Sequence, residues 1–184
     1  ADEIARPQPR DAAALAPTFA DSIYRRYFLA GILVILSAGA TWGAYILWQI
    51  GMGGAFTKVS LHAINAHGHA QIYGWVGLFI MGFSLQAFPR IWHTSLALPR
   101  LAVTAFVLMV LGISVRTVGM TWAGADWALP AAMAGGVAEI VSVLLYAAVI
   151  VRTFIGTSAA ANWRSQPYLG FAFSAVFYFV VSTI

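Results

Sequence analysis

A short stretch of this sequence gathers side chains that can ligate a metal or exchange a proton. Residues 62–75 contain three of the four histidines in the chain, His62, His67 and His69. Neutral imidazole is a common ligand for haem iron and for copper. The chain has no cysteine, which excludes thiolate ligands, iron–sulfur clusters and covalent c-type haem attachment. Any metal site would therefore use histidine and oxygen ligands.

On an α-helix these side chains divide between two faces, because each residue is turned by about 100° from the one before. His67 and His69 lie about 200° apart, so they cannot bind one ion from the same side. If both are ligands, the helix holds two sites, or a haem on one face and a metal on the other. The face of His69 also carries His62, Asn65 and Tyr73, and the face of His67 carries Gln71 and Gly74.

Neighbours of the two histidines suggest supporting roles. Tyr73, one turn after His69, could orient that ring or donate a proton to it. Gly68 and Gly74 would leave room for a planar macrocycle against the backbone. The remaining histidine, His93, is expected in a loop and exposed to solvent.

Composition identifies the environment of these residues as a membrane. Hydrophobic residues make up 61% of the chain and charged residues 9%, whereas a soluble domain has roughly 25% charged residues. Apolar runs near the roughly 20 residues that a bilayer requires predict an all-α bundle of about five transmembrane helices. The predicted helices cover residues 27–50, 62–88, 101–120, 129–151 and 168–184.

Arginine positions predict the topology. We divide the chain into a cytoplasmic tail, residues 1–24, and a transmembrane domain, residues 25–184, and we expect a multi-pass protein of a bacterial-type inner membrane. The basic residues are dispersed, which argues against a nucleic-acid partner. By the positive-inside rule, the N-terminus is cytoplasmic, because the tail and alternate loops contain Arg25, Arg26, Arg90, Arg100, Arg152 and Arg164.

Two further ionisable residues fall inside predicted helices. With this topology, Arg116 and Glu139 lie at a depth comparable with that of His69. Ionisable side chains inside a membrane are costly and need a reason. We expect either an ion pair between Arg116 and Glu139 or a functional role beside the histidines.

Small and aromatic residues give packing expectations. The G-x-x-x-G spacing of Gly39 and Gly43, and the pair Gly135 and Gly136, are typical of helices whose backbones approach closely. Tryptophans near the ends of the runs, among them Trp92, are expected to be anchors at the membrane interface.

The stretch from His67 to Arg90, HGHAQIYGWVGLFIMGFSLQAFPR, resembles the pattern of a helix in the NnrS family. That pattern has two histidines one residue apart, then glycines, and a proline at the inner end. The stretch is also similar to short membrane proteins related to subunit I of haem-copper oxidases. The resemblance covers mainly residues 27–115.

The resemblance implies a haem- and copper-binding membrane protein, with a non-covalent b-type haem. It points to nitric oxide metabolism, protection against nitrosative stress or respiratory electron transfer, with a diatomic gas as a partner, and to haem-copper oxidoreductase-like chemistry. It matches His67 and His69 to the family's paired histidines. The candidate metal ligands are His62, His67 and His69, and Gln71, Tyr73 and Arg116 are expected around a cofactor.

These relatives have about twice as many helices. Five helices cannot hold a complete binuclear haem-copper centre. The sequence therefore predicts either the first part of a longer haem-copper-type bundle or a chain that pairs with a second copy or a partner membrane subunit.

Three alternatives remain. Ala63, four residues before His67, would suit a histidine-ligated chlorophyll-type pigment. Glu139, Arg116 and the histidines could form a proton or ion pathway without a cofactor. The polar residues could also serve only to hold the helices of a structural subunit together.

Overall fold

A computed structural model describes residues 19–157 and 168–183, and this part of the chain is an all-α bundle of five helices. Helix α1 runs without a break through Phe19–Val34, a π-helical segment Ile35–Thr41, and Trp42–Gly53. Helix α2 has the same construction, with Leu61–His69, a π-helical segment Ala70–Gly77, and Leu78–Ile91. The others are α3 (Pro99–Thr121), α4 (Ala128–Ile155) and α5 (Tyr168–Thr183).

The lengths and composition of these helices confirm a multi-pass membrane bundle. Within the described ranges, four helices are long and apolar enough to cross a bilayer: Ser22–Gly53, Leu61–Ile91, Pro99–Thr121 and Ala128–Ile155. The fifth is apolar but shorter, Tyr168–Ser182. Because much of the surface is apolar, with Leu47 70% and Phe171 80% exposed, the bundle requires lipid around it.

The first helix begins earlier than its apolar run predicts. Residues 1–18 of the predicted tail lie outside the described residues, but α1 already begins at Phe19, so the helix extends into the segment assigned to the tail. Ile23 and Tyr27 are 1% and 0% exposed. The N-terminal part of α1 is thus packed from Ile23 onward, and the charges at Arg25 and Arg26 conceal this packing from a search for apolar runs.

Helices α3 and α4 approach each other at backbone distance. A Cβ atom on Gly135 would lie 2.6 Å from the backbone nitrogen of Arg116, and one on Gly119 would lie 2.7 Å from the carbonyl oxygen of Ala128. The expected close approach at Gly135 is therefore confirmed. Gly136 lies beside the Arg116 guanidinium instead of a backbone, 3.2 Å from Cβ to Nη1.

The two glycines of the G-x-x-x-G motif in α1 have different surroundings. A Cβ on Gly43 would lie 2.7 Å from Cε1 of His67, and one on Gly39 would meet Ile35 of the same helix. In the described fold the nearest atoms to these two glycines belong to side chains, and a close backbone approach at this motif stays a prediction.

Hydroxyl groups tie the inner halves of the helices together. Ser142 donates to the carbonyl of Ala105 at 2.6 Å, and the hydroxyls of Ser84 and Tyr146 are 2.6 Å apart. Trp92, expected at the interface, is 3% exposed and stacks on Phe88 with ring centroids 4.9 Å apart. These contacts fix α2, α3 and α4 below the polar centre described next.

Candidate functional site

A buried ionic centre joins α2, α3 and α4. Nε2 of His69 lies 2.8 Å from Oε2 and 3.0 Å from Oε1 of Glu139. Nη1 of Arg116 lies 3.5 Å from Oε2 of the same carboxylate. The Glu139 side chain is 0% exposed, that of His69 9% and that of Arg116 31%. One buried carboxylate thus has two basic partners from two other helices.

The small residues of α3 and α4 make the space for this centre. A Cβ on Gly112 would lie 2.8 Å from Cγ of Glu139, so a larger residue at that position would displace the carboxylate. The glycines that bring α3 and α4 together therefore also seat the charged side chain between them.

The distances define how the three groups interact. When Glu139 is ionised its carboxylate only accepts hydrogen bonds, and Nε2 of His69 is then the donor. The 3.5 Å contact of Arg116 is long for a hydrogen bond, so Arg116 acts mainly through its charge. The expected ion pair between Arg116 and Glu139 is present. The third member, His69, was predicted to lie at the same membrane depth, and this depth was the sequence feature that linked it to the pair.

His67 turns away from this centre toward α1. Its Nδ1 lies 3.1 Å from the carbonyl oxygen of Ala38. His67 and His69 thus contact different helices, which confirms that their faces diverge. His67 and Gln71, which share a face as predicted, both line a groove of about 480 Å³ between α1 and α2.

Tyr73 contacts His69 by its ring and α5 by its hydroxyl. The two ring centroids are 4.7 Å apart, so the tyrosine packs against the imidazole as a side chain that orients it would. The hydroxyl donates to the carbonyl of Ser182. It is therefore not placed to donate a proton to His69.

The other predicted site residues lie apart from these two positions. His62, Asn65 and His93 are exposed, which confirms the expectation for His93. Across residues 19–157 and 168–183, no group of three or more His, Cys, Asp or Glu is arranged to hold a metal ion. His62, His67 and His69 do not converge on one position.

Only one of the two glycines expected to accommodate a macrocycle has space beside it. A Cβ on Gly68 would meet nothing within 4 Å. At Gly74 the space is filled by the chain itself, because a Cβ there would lie 2.6 Å from Cγ1 of Val34 and 3.3 Å from Ile113. The space expected beside Gly74 is therefore absent, whereas Gly68 faces open space.

The fold and this centre define the class: a multi-pass all-α membrane protein with a His–Glu–Arg cluster around a buried carboxyl group. Comparison with known proteins does not identify a family. No family model matches the chain, and searches of curated proteins and of solved structures find no significant match. The resemblance to the NnrS family stays a prediction.

Proposed function

We propose that this chain is a haem-binding membrane protein in which His67 supplies an axial ligand. The observation that carries the proposal is the hydrogen bond from His67 to Ala38. Because a carbonyl only accepts, Nδ1 carries the hydrogen, and Nε2 keeps its lone pair on the ring that lines the α1–α2 groove. Histidines that ligate metals usually have their other ring nitrogen fixed in this way.

The size and the mostly apolar lining of the groove support this proposal. Its volume of about 480 Å³ is within the range of about 300–1,000 Å³ for small-molecule sites. Haem takes only one or two axial ligands from protein, so one histidine suffices where a metal ion alone would need three or four. The α1 wall includes the small residues Gly39, Ala40, Gly43 and Ala44 beside larger apolar ones.

The other polar side chains near the groove would have separate roles. Gln71 lines the same groove one turn after His67, where its amide can bind a polar group of a ligand. His69 does not line this groove, so it is not proposed as a second ligand of the same haem. A bound haem would supply one-electron chemistry or diatomic-gas binding, which agrees with the expected roles in nitric oxide metabolism or respiratory electron transfer at a bacterial inner membrane.

The visible absorption spectrum of the detergent-purified protein, oxidised and reduced, tests this proposal together with iron, copper and magnesium analysis. We expect a Soret band with stoichiometric iron, and a loss of about tenfold or more in bound haem for His67→Ala. His93→Ala, which removes an exposed histidine, should leave the spectrum unchanged. A magnesium-containing pigment, or a folded protein without colour or metal, would contradict haem binding.

A second function, proton transfer through the bundle, is favoured by a separate observation. Glu139 is a fully buried carboxylate bonded to an imidazole, and ionisable residues inside membranes often belong to proton or ion pathways. We propose it as the alternative if the protein holds no cofactor. His69 and Glu139 would then be the exchanging groups, with Arg116 providing the fixed charge.

Proteoliposomes that report internal pH test this alternative. We expect wild-type protein to dissipate an imposed pH gradient and Glu139→Gln, which keeps the side-chain shape, to lower the rate by about tenfold or more, the scale of removing a proton-transferring group. Asp126→Asn is the control, because Asp126 is exposed between α3 and α4. If wild-type protein dissipates the pH gradient no faster than Glu139→Gln, or no faster than empty vesicles, the proton pathway is excluded.

A further inference from the structure

The π-helical segment of α1 alters the backbone hydrogen bonds beside His67. In an α-helix the N–H of Trp42 would bond to the carbonyl of Ala38, four residues earlier. Here it bonds to the carbonyls of Ser37 and Gly39, and the Thr41 hydroxyl bonds to the carbonyl of Leu36 at 2.5 Å. The Ala38 carbonyl accepts from Nδ1 of His67 on α2 instead.

Two further contacts hold the His67 ring at this carbonyl. The indole Nε1 of Trp42 donates to the carbonyl of Ala63, one turn before His67, at 3.3 Å. The ring itself lies against Gly43, where a Cβ would be 2.7 Å from Cε1 and 3.2 Å from Nε2. The π-helical segments of α1 and α2 also pack against each other. The relative position of the two helices is therefore fixed at the histidine.

We infer that the π-helical segment Ile35–Thr41 positions His67, with the carbonyl of Ala38 holding the ring as the Nδ1–H tautomer and Gly43 setting its tilt. π-Helical segments often occur at functional sites, and this one turns a backbone acceptor outward to a side chain. Only the consequence for a bound cofactor rests on the proposed function, namely a more basic Nε2. The tautomer is a property of the chain alone.

The tautomer can be measured in protein that contains no cofactor. Nitrogen NMR of histidine-labelled protein in lipid distinguishes a protonated Nδ1 from an unprotonated one, and His67→Gln assigns the signal. We expect His67 to be predominantly Nδ1–H. In Gly43→Ala the new Cβ displaces the ring, and the Nδ1–H to Nε2–H ratio should fall about five- to tenfold, the scale of one hydrogen bond.

Gly51→Ala is the matched control, because it makes the same change on α1 where a Cβ would meet nothing within 4 Å. It should leave the His67 tautomer ratio unchanged. A wild-type protein with His67 as Nε2–H, or a ratio that Gly43→Ala and Gly51→Ala alter equally, would overturn the inference.

A backbone substitution tests the carbonyl itself if Gly43→Ala does not fold. Replacing Gly39 by its α-hydroxy analogue converts the Ala38 carbonyl into an ester, a weaker acceptor, without changing any side chain. We expect the same fall in the tautomer ratio, and none when Gly51 is replaced in this way. In haem-loaded protein the ester at residue 39 should raise the reduction potential. A preserved tautomer with no haem binding would refute the proposed function alone, whereas an unaltered ratio with the ester would refute this inference.

Discussion

Replacing Glu139 by alanine is expected to lower the free energy of unfolding by about 3 kcal/mol. Removing one member of a buried ion pair strands its partners, at a cost of about 3–5 kcal/mol. We expect a loss at the lower end of this range. The Arg116 side chain is 31% exposed and can turn its charge toward the membrane surface, whereas the His69 side chain is 9% exposed and cannot. Reversible unfolding in mixed micelles measures the loss.

Three comparisons make this result specific to the ionic centre. Asp126→Ala removes an exposed acid and should alter stability by less than about 0.5 kcal/mol. Glu139→Gln retains an acceptor for His69 and should lose less than Glu139→Ala. A double-mutant cycle with His69→Ala should give a coupling of about 1 kcal/mol or more. A cycle without coupling would mean that the 2.8 Å contact does not contribute to stability.

Much of the fold follows from the sequence because the membrane imposes simple rules. Each apolar run must be near 20 residues and must satisfy its backbone internally, so most helix ends could be placed to within a few residues, whereas the first helix, predicted from residue 27, begins at Phe19. The boundaries extend further in the structure, as at Phe19. Such extensions are held by tertiary contacts, which an apolar run does not reveal.

The ionic centre was only partly predictable. Depth along each helix follows from topology and a 1.5 Å rise per residue, which is why Arg116 and Glu139 could be grouped with His69. The sequence of one helix does not reveal which neighbouring helix each of its faces packs against. His69 and Glu139 are 70 residues apart, and only the packing of α2 on α3 and α4 brings them together.

The surroundings of His67 were harder to foresee for a local reason. The segments Ile35–Thr41 and Ala70–Gly77 are π-helical, and a regular 100° turn does not describe them. From spacing alone, Gly43 was assigned to a close approach of helices and Gly74 to the accommodation of a macrocycle. Each instead lies against a side chain of this protein, His67 and Val34 respectively.

Replacing Gly135 is expected to have the other large effect, because α3 and α4 touch there by their backbones. A Cβ at this position would lie 2.6 Å from the nitrogen of Arg116 and 2.7 Å from the carbonyl oxygen of Gly112. Backbone atoms cannot move aside as side chains do, so the helices must separate. Overpacking costs about 1–3 kcal/mol, and we expect a loss of about 2 kcal/mol for Gly135→Ala and more for Gly135→Val.

Gly136→Ala separates this steric effect from the change in helix propensity. The same substitution one residue later meets only the Arg116 guanidinium, 3.2 Å from Cβ to Nη1, at the end of a flexible side chain. Alanine favours a helix over glycine by about 1 kcal/mol, so Gly136→Ala should be neutral or slightly stabilising in the same unfolding measurement. If Gly135→Ala is as stable as Gly136→Ala, then the close contact of α3 and α4 does not hold the carboxylate in place. Glu139 would then depend on His69 and Arg116 alone for its position.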